Sequence, residues 1–143
     1  MYAATDFYRT FRFLMTLIAA FDMYATQQNV ISAFTKTKLP HSVYVRCPPR
    51  FNRTDYAIKL NNALYGLPES AQLWVEELAE TLISFGFKRT HENLCLFTHP
   101  TKAIIIFFYV NNIIIAGANK NDVHNVNNLI ASKYACQKAK KLQ

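Results

Sequence analysis

The sequence predicts an α+β domain in which helices pack on one face of an antiparallel sheet. Three observations carry this. Residues 70–85 place Trp74, Leu78, Leu82 and Phe85 at helical spacing. Residues 103–109 and 113–116 are unbroken β-branched and aromatic runs around a short turn. The element order is helix, strands, helix, strand hairpin, helix.

Each element has its own warrant. Residues 11–25, FRFLMTLIAAFDMYA, contain no Gly or Pro and only Arg12 and Asp22 as charges, which predicts a buried helix. Residues 29–34 follow as a short strand-to-helix piece. Residues 42–45 read as a strand, ended by Pro48 and Pro49, which cannot continue a ladder. Residues 56–60 alternate enough to be its hairpin partner. In the 70–85 helix, Ser70 is the expected cap and Gly86 the stop. Residues 94–98 are a strand. The 103–109 and 113–116 runs read as strands buried on both faces, with Val110, Asn111 and Asn112 between them and the asparagines tolerating the turn. Residues 121–134 form a last helix through Val123, Val126, Ile130 and Tyr134, followed by a polar, basic tail.

Composition narrows the class. The 143 residues are 51% hydrophobic, and Gly and Pro are few, which excludes disorder and low complexity. The net charge of +7 fits a polyanionic partner. Three scattered cysteines, Cys47, Cys95 and Cys136, make no disulfide framework and point to an intracellular, reducing setting. No secretory signal is visible. The apolar run 103–117 is shorter than the ~20 residues of a spanning helix and is interrupted by two asparagines, so no membrane association is expected.

Little in the residues alone is catalytic. His91, Cys95 and His99 are spaced four and four, but on a strand they would spread over about 27 Å, too far for one ion. No G-x-S-x-G motif and no glycine-rich phosphate loop occurs. The remaining oddity is the 109–112 turn, Tyr-Val-Asn-Asn, which sets two polar side chains at the end of two very apolar strands. It is either ordinary turn chemistry or a tip that projects into a working cleft.

At this point a family resemblance emerges. The chain resembles the reverse transcriptase domain of copia-type LTR retrotransposons. Matching blocks are Thr10-Phe11-Arg12; Gln28-Asn29-Val30 with Ser32-Ala33-Phe34; Val43-Tyr44-Val45 leading to Pro48 and Phe51; and Lys59-Leu60. They continue with Ala63-Leu64-Tyr65-Gly66-Leu67 and Trp74; Phe85-Gly86-Phe87-Lys88; Cys95-Leu96-Phe97; and Tyr109-Val110-Asn111-Asn112. These occur in family order over nearly the whole chain. The resemblance implies a palm-like sheet with part of the fingers and no thumb, as one truncated domain over residues 1–143.

It also implies a chemistry that this sequence departs from. In the family, three palm aspartates hold two Mg²⁺ ions for nucleotidyl transfer. The matching positions are Asn29, Asn111 and Asn112. Mg²⁺ is a hard cation that prefers charged oxygens, and an amide offers one neutral carbonyl oxygen. The resemblance therefore implies a near-isosteric site that binds no metal well and does not polymerise. Only four Asp remain, against Asn throughout the chain, and one G-to-A change converts an Asp codon to Asn. That skew fits a mutationally silenced element. The alternative is a reused, non-catalytic module that binds nucleic acid without reading sequence.

Other roles are implied residue by residue. Phe34 matches an aromatic gate beside the incoming nucleotide, with a core Phe as the other reading. Tyr65 and Gly66 match a loop near the template–nucleotide pair, with a plain turn as the other reading. Trp74 reads as core and Arg12 as a buried structural cation. The family's Pro-Arg after the LYGL block is replaced by Ala71-Gln72. Lys36, Lys38, Arg46, Arg50, Lys88 and Arg89 are candidate phosphate contacts for an RNA or DNA primer–template, with a solvated basic surface as the bland alternative.

Overall fold

A computed structural model describes residues 4–51, 53 and 55–142. The first helix, α1, spans Ala4–Ala20, and strand β1 spans Tyr24–Asn29. Strands β2 (Lys38–Arg46) and β3 (Ala57–Asn62) follow, then helix α2 (Ser70–Ser84). Next come β4 (Lys88–Arg89), β5 (Leu96–Thr98), β6 (Ile104–Tyr109) and β7 (Asn112–Gly117). Helix α3 (Lys120–Lys133) and β8 (Lys140–Lys141) complete the chain.

The expected α+β class holds. Six strands form one antiparallel sheet in the order β4-β5-β6-β7-β1-β8, and β2 and β3 form a separate ribbon. The central hairpin pairs Ile106 with Ile115 and Tyr109 with Asn112. On the other side of β7, Ile114 faces Gln27 and Asn112 faces Asn29. No helix among the described residues is long and apolar enough to cross a membrane.

The helices do not share one face. Strand alternation sends Ile106, Phe108, Ile113 and Ile115 into a large core with Trp74, Leu78 and Leu82 of α2 and Val123 and Ile130 of α3. Phe107 and Ile114 point the other way, against Leu14 of α1. The expectation of helices on a single face is thus corrected: α1 covers the opposite side. Two apolar faces on β6 and β7 require two covers.

Other boundaries also move. The helix predicted over 11–25 ends at Ala20, because Asp22 takes a left-handed φ of 48° and the chain turns into β1. Ser70 does not cap α2 through its side chain; it is buried and its hydroxyl donates to Leu64 O at 2.7 Å. Arg12 is exposed, so it is not a buried cation. The predicted 94–98 strand begins at Leu96. The two-residue strands β4 and β8 were not anticipated.

Candidate functional site

The β6–β7 turn and the end of β1 converge because the sheet is antiparallel there. Asn29 closes β1 directly opposite Asn112, the first residue of β7, and Asn111 precedes it in the turn. The three amides meet. Asn29 Nδ2 donates to Asn112 Oδ1 at 3.1 Å, and Asn111 Nδ2 donates to Asn29 Oδ1 at 3.2 Å. Gln27, two residues back and so on the same strand face, donates through Nε2 to Asn112 Oδ1 at 3.2 Å. The result is a half-exposed, uncharged row of side-chain amides. It lies on the α1 face of the sheet, one strand-pair beyond Phe107 and Ile114.

The tip is held by its backbone. Val110 has a φ of 54°, a conformation that costs a β-branched residue on the order of 1–2 kcal/mol. Its carbonyl accepts a hydrogen bond from Nε1 of the fully buried Trp74. The carbonyl of Asn111 accepts from the backbone N–H of Val30 at 2.8 Å. Trp74 is itself set edge-on to Tyr134, 5.2 Å between centroids, and the Tyr134 hydroxyl bonds Thr81 Oγ1 at 2.8 Å. Burial pushes the Tyr134 phenol up to about 12, outweighing the opposing effect of the Thr81 bond. The core reading of Trp74 stands, and its indole N–H adds a link from α2 to the tip.

The remaining candidates divide. Phe34 is buried in the main core, its ring 4.5 Å from that of Tyr65. Tyr65 is half-exposed. Gly66 has a φ of 98° with no atom of the chain within 4 Å of where a Cβ would stand, so its left-handed backbone and not crowding within the chain calls for glycine. Lys36, Lys38, Arg46 and Arg50 are exposed on or beside β2. Lys88 is exposed on β4, at the sheet edge far from the amides. Arg89 is committed elsewhere: it pairs with Glu76 at 3.2 Å and donates through Nε to Leu94 O at 2.8 Å.

Among the described residues no group of three or more His, Cys, Asp or Glu could hold a metal ion, the 91/95/99 set included. Burial lifts the Cys95 thiol to about 11, which keeps it a thiol. Two contributors escaped the sequence reading. Gln27 carries the i−2 signal of a strand neighbour to Asn29. Val110 carries no signal, because the asparagines were expected to absorb the turn.

A family model described as "Reverse transcriptase (RNA-dependent DNA polymerase)" matches residues 3–143. The chain is 31% identical over 114 residues to the Retrovirus-related Pol polyprotein from transposon RE1 of Arabidopsis thaliana, covering 76% of the chain and 8% of that protein. It is 34% identical over 96 residues to the corresponding polyprotein from transposon RE2 of the same plant, covering 64% of the chain and 7% of the relative. To the Transposon Ty1-MR1 Gag-Pol polyprotein of Saccharomyces cerevisiae it is 27% identical over 112 residues, 78% of the chain and 6% of the relative. The chain thus spans less than a tenth of the length of each of these relatives.

Proposed function

Because the chain belongs to the reverse transcriptase (RNA-dependent DNA polymerase) family, in the form found in copia- and Ty1-type transposon polyproteins, we propose that it is a palm portion of such a polymerase with nucleotidyl transfer abolished. One observation supports this above the others. The family's carboxylate positions, Asn29, Asn111 and Asn112, are neutral, and two of their oxygens already accept N–H bonds from inside the row. Magnesium demands near-octahedral, largely anionic oxygen ligation. This donor set fits it poorly: the row offers only neutral amide oxygens, and those of Asn29 and Asn112 already accept N–H bonds.

Shape outlasts chemistry in this reading. Asn is nearly isosteric with Asp, and three like charges in one small site repel each other without metal. Their removal leaves the fold at least as stable. The test is Mg²⁺-dependent primer extension on an RNA template, comparing the unmodified chain with one carrying Asn29→Asp, Asn111→Asp and Asn112→Asp. The expected result is no extension by the unmodified chain. Extension by it would overturn the proposal.

A second reading is retained because Lys36, Lys38, Arg46 and Arg50 are all exposed along one ribbon of a chain with net charge +7. It is sequence-blind nucleic-acid binding through that ribbon, which falls steeply with salt. No binding to a primer–template at low salt would reject it.

A further inference from the structure

The tail after α3 runs as a strand along the free side of β1. Ile31 N donates to Ala135 O at 2.8 Å, Gln137 N to Asn29 O at 2.8 Å, and Leu142 N to Ala25 O at 3.0 Å. Between these bonds Cys136 bridges Val30, and Lys140 and Lys141 pair with Gln27 and Thr26. Gln137 and Lys140 are spaced more widely than their partners Asn29 and Gln27, so the tail carries one extra residue there, as a bulge does. The bonds flanking Cys136 and Lys141 place both at widely spaced positions of the ladder, where a residue turns its own N–H and C=O away from its partner strand. The sheet order ends at β8, and no strand among the described residues pairs with that outer edge.

The same edge is strongly positive. Lys138, Lys140 and Lys141 are exposed. Directly paired residues share a sheet face, so Lys140 lies on the Gln27 side and Lys141 on the Thr26 side. On that second side α3 adds more basic groups around Tyr24. Lys120 Nζ lies 5.5 Å and Lys141 Nζ 5.7 Å from the centroid of the Tyr24 ring, and His124 Nε2 is 3.5 Å from its hydroxyl. None of these four lysines pairs with a carboxylate among the described residues.

We propose that the outer edge of residues 135–142 docks an acidic, extended polypeptide segment, which joins the sheet as a further strand. An open edge alternates N–H and C=O, and another peptide backbone supplies both partners in that order. A phosphodiester backbone brings acceptors only, so it leaves the carbonyls of the edge without donors. The lysines set the sign of the partner. Edge lysines discourage pairing with apolar or basic strands, and a second copy of this edge would bring its own lysines against them. Acidic side chains opposite Lys140 and Lys141 replace that repulsion with cross-strand ion pairs, one on each face of the sheet.

The experiment is fluorescence anisotropy of a short labelled peptide of Glu, Val and Thr with the full chain at low salt. Two comparison peptides accompany it. One is N-methylated at consecutive central residues, which removes donors from both of its edges and keeps its charge; the other carries Lys in place of Glu. The acidic peptide should bind and the basic one should not. N-methylation should weaken binding by about tenfold or more, since several backbone bonds are lost. The variant carrying Lys140→Glu and Lys141→Glu, checked for native circular dichroism, should also lose about tenfold, and less at high salt. Amide exchange in the unmodified chain needs no variant: the Cys136 and Lys141 amides should slow when the acidic peptide is added. Absence of binding at low salt overturns the proposal. So does equal affinity for the methylated and unmethylated peptides, or unchanged exchange at Cys136 and Lys141 under saturating peptide. A single-stranded oligonucleotide of equal charge that outcompetes the peptide and slows the same two amides overturns it in favour of a nucleic acid at this edge.

Discussion

Two carboxylates restored together should disrupt the row that one alone would tolerate. Asn29 Nδ2 and Asn112 Oδ1 are 3.1 Å apart, so acids at both positions would place anionic oxygens at nearly that spacing. Asn112→Asp alone keeps both donors to its side chain and makes the bonds charge-assisted, a change of about zero to +1 kcal/mol in stability. Adding Asn29→Asp removes one donor and brings in a second negative charge. At about 4 Å, two unit charges repel by about 1 kcal/mol in water and about 4 kcal/mol at an effective dielectric of 20. A half-exposed row lies between these, so the double variant should fall about 2–3 kcal/mol below additivity. For a domain of this size that is roughly 8–12 °C in Tm. The pH sign follows from proton linkage. A crowded carboxyl holds its proton to higher pH when folded than when unfolded, so the folded state is penalised as pH rises above the ordinary carboxylate range. The deficit should be full at pH 7.5 and nearly absent at pH 4. Four proteins melted at both pH values without divalent ions give the cycle. Additive Tm values at pH 7.5 would refute the adjacency of Asn29 and Asn112.

Three further outcomes follow from the same geometry. Trp74→Phe should cost about 1–3 kcal/mol by leaving the Val110 carbonyl without its donor, and it should speed amide exchange at Val30, next to the tip; an unchanged melt with unchanged exchange counts against the anchor. Gly117→Ala should cost about 1–3 kcal/mol, because the new Cβ would stand 2.9 Å from Val123 Cγ2 and 3.2 Å from Ala103 O; a Tm within a degree of the parent contradicts that packing. Tyr134 should ionise late, near 12 against the ordinary 10, in an absorbance titration. Its folded pKa is raised, so its contribution to stability is full below pH 10 and is lost as pH climbs toward 12; ionisation with the exposed tyrosines would show that the phenol is not buried.

Sequence legibility tracked length and periodicity. Helix α2 was readable because four apolar side chains recur at helical spacing, and β6 and β7 because both faces are buried and the run is unbroken. That same double burial already required helices on two faces of the sheet, and α1 supplies the second cover. The overrun of α1 into β1 came from a continuous apolar stretch whose break is a backbone event at Asp22, without Gly or Pro to announce it. Strands β4 and β8 have two residues each, which is too few to show a period, and only their neighbours define them. At the site, Asn29, Asn111 and Asn112 were found by motif and brought together by register. The place of Lys140 beside Gln27 was not legible, because it depends on a pairing between residues more than a hundred positions apart.

The anchoring of the turn at Val110 has an evolutionary consequence. Its two fixed points are main-chain carbonyls, those of Val110 and Asn111, and every residue type supplies such a carbonyl. Nothing in that attachment consults the side chains of residues 111 and 112. The backbone attachment of the turn is therefore indifferent to what those positions carry, while selection for polymerisation sees little else. If that pressure lifts, as the proposed reading has it, acids can drift to amides here without loosening the backbone attachment, and the hairpin keeps its shape.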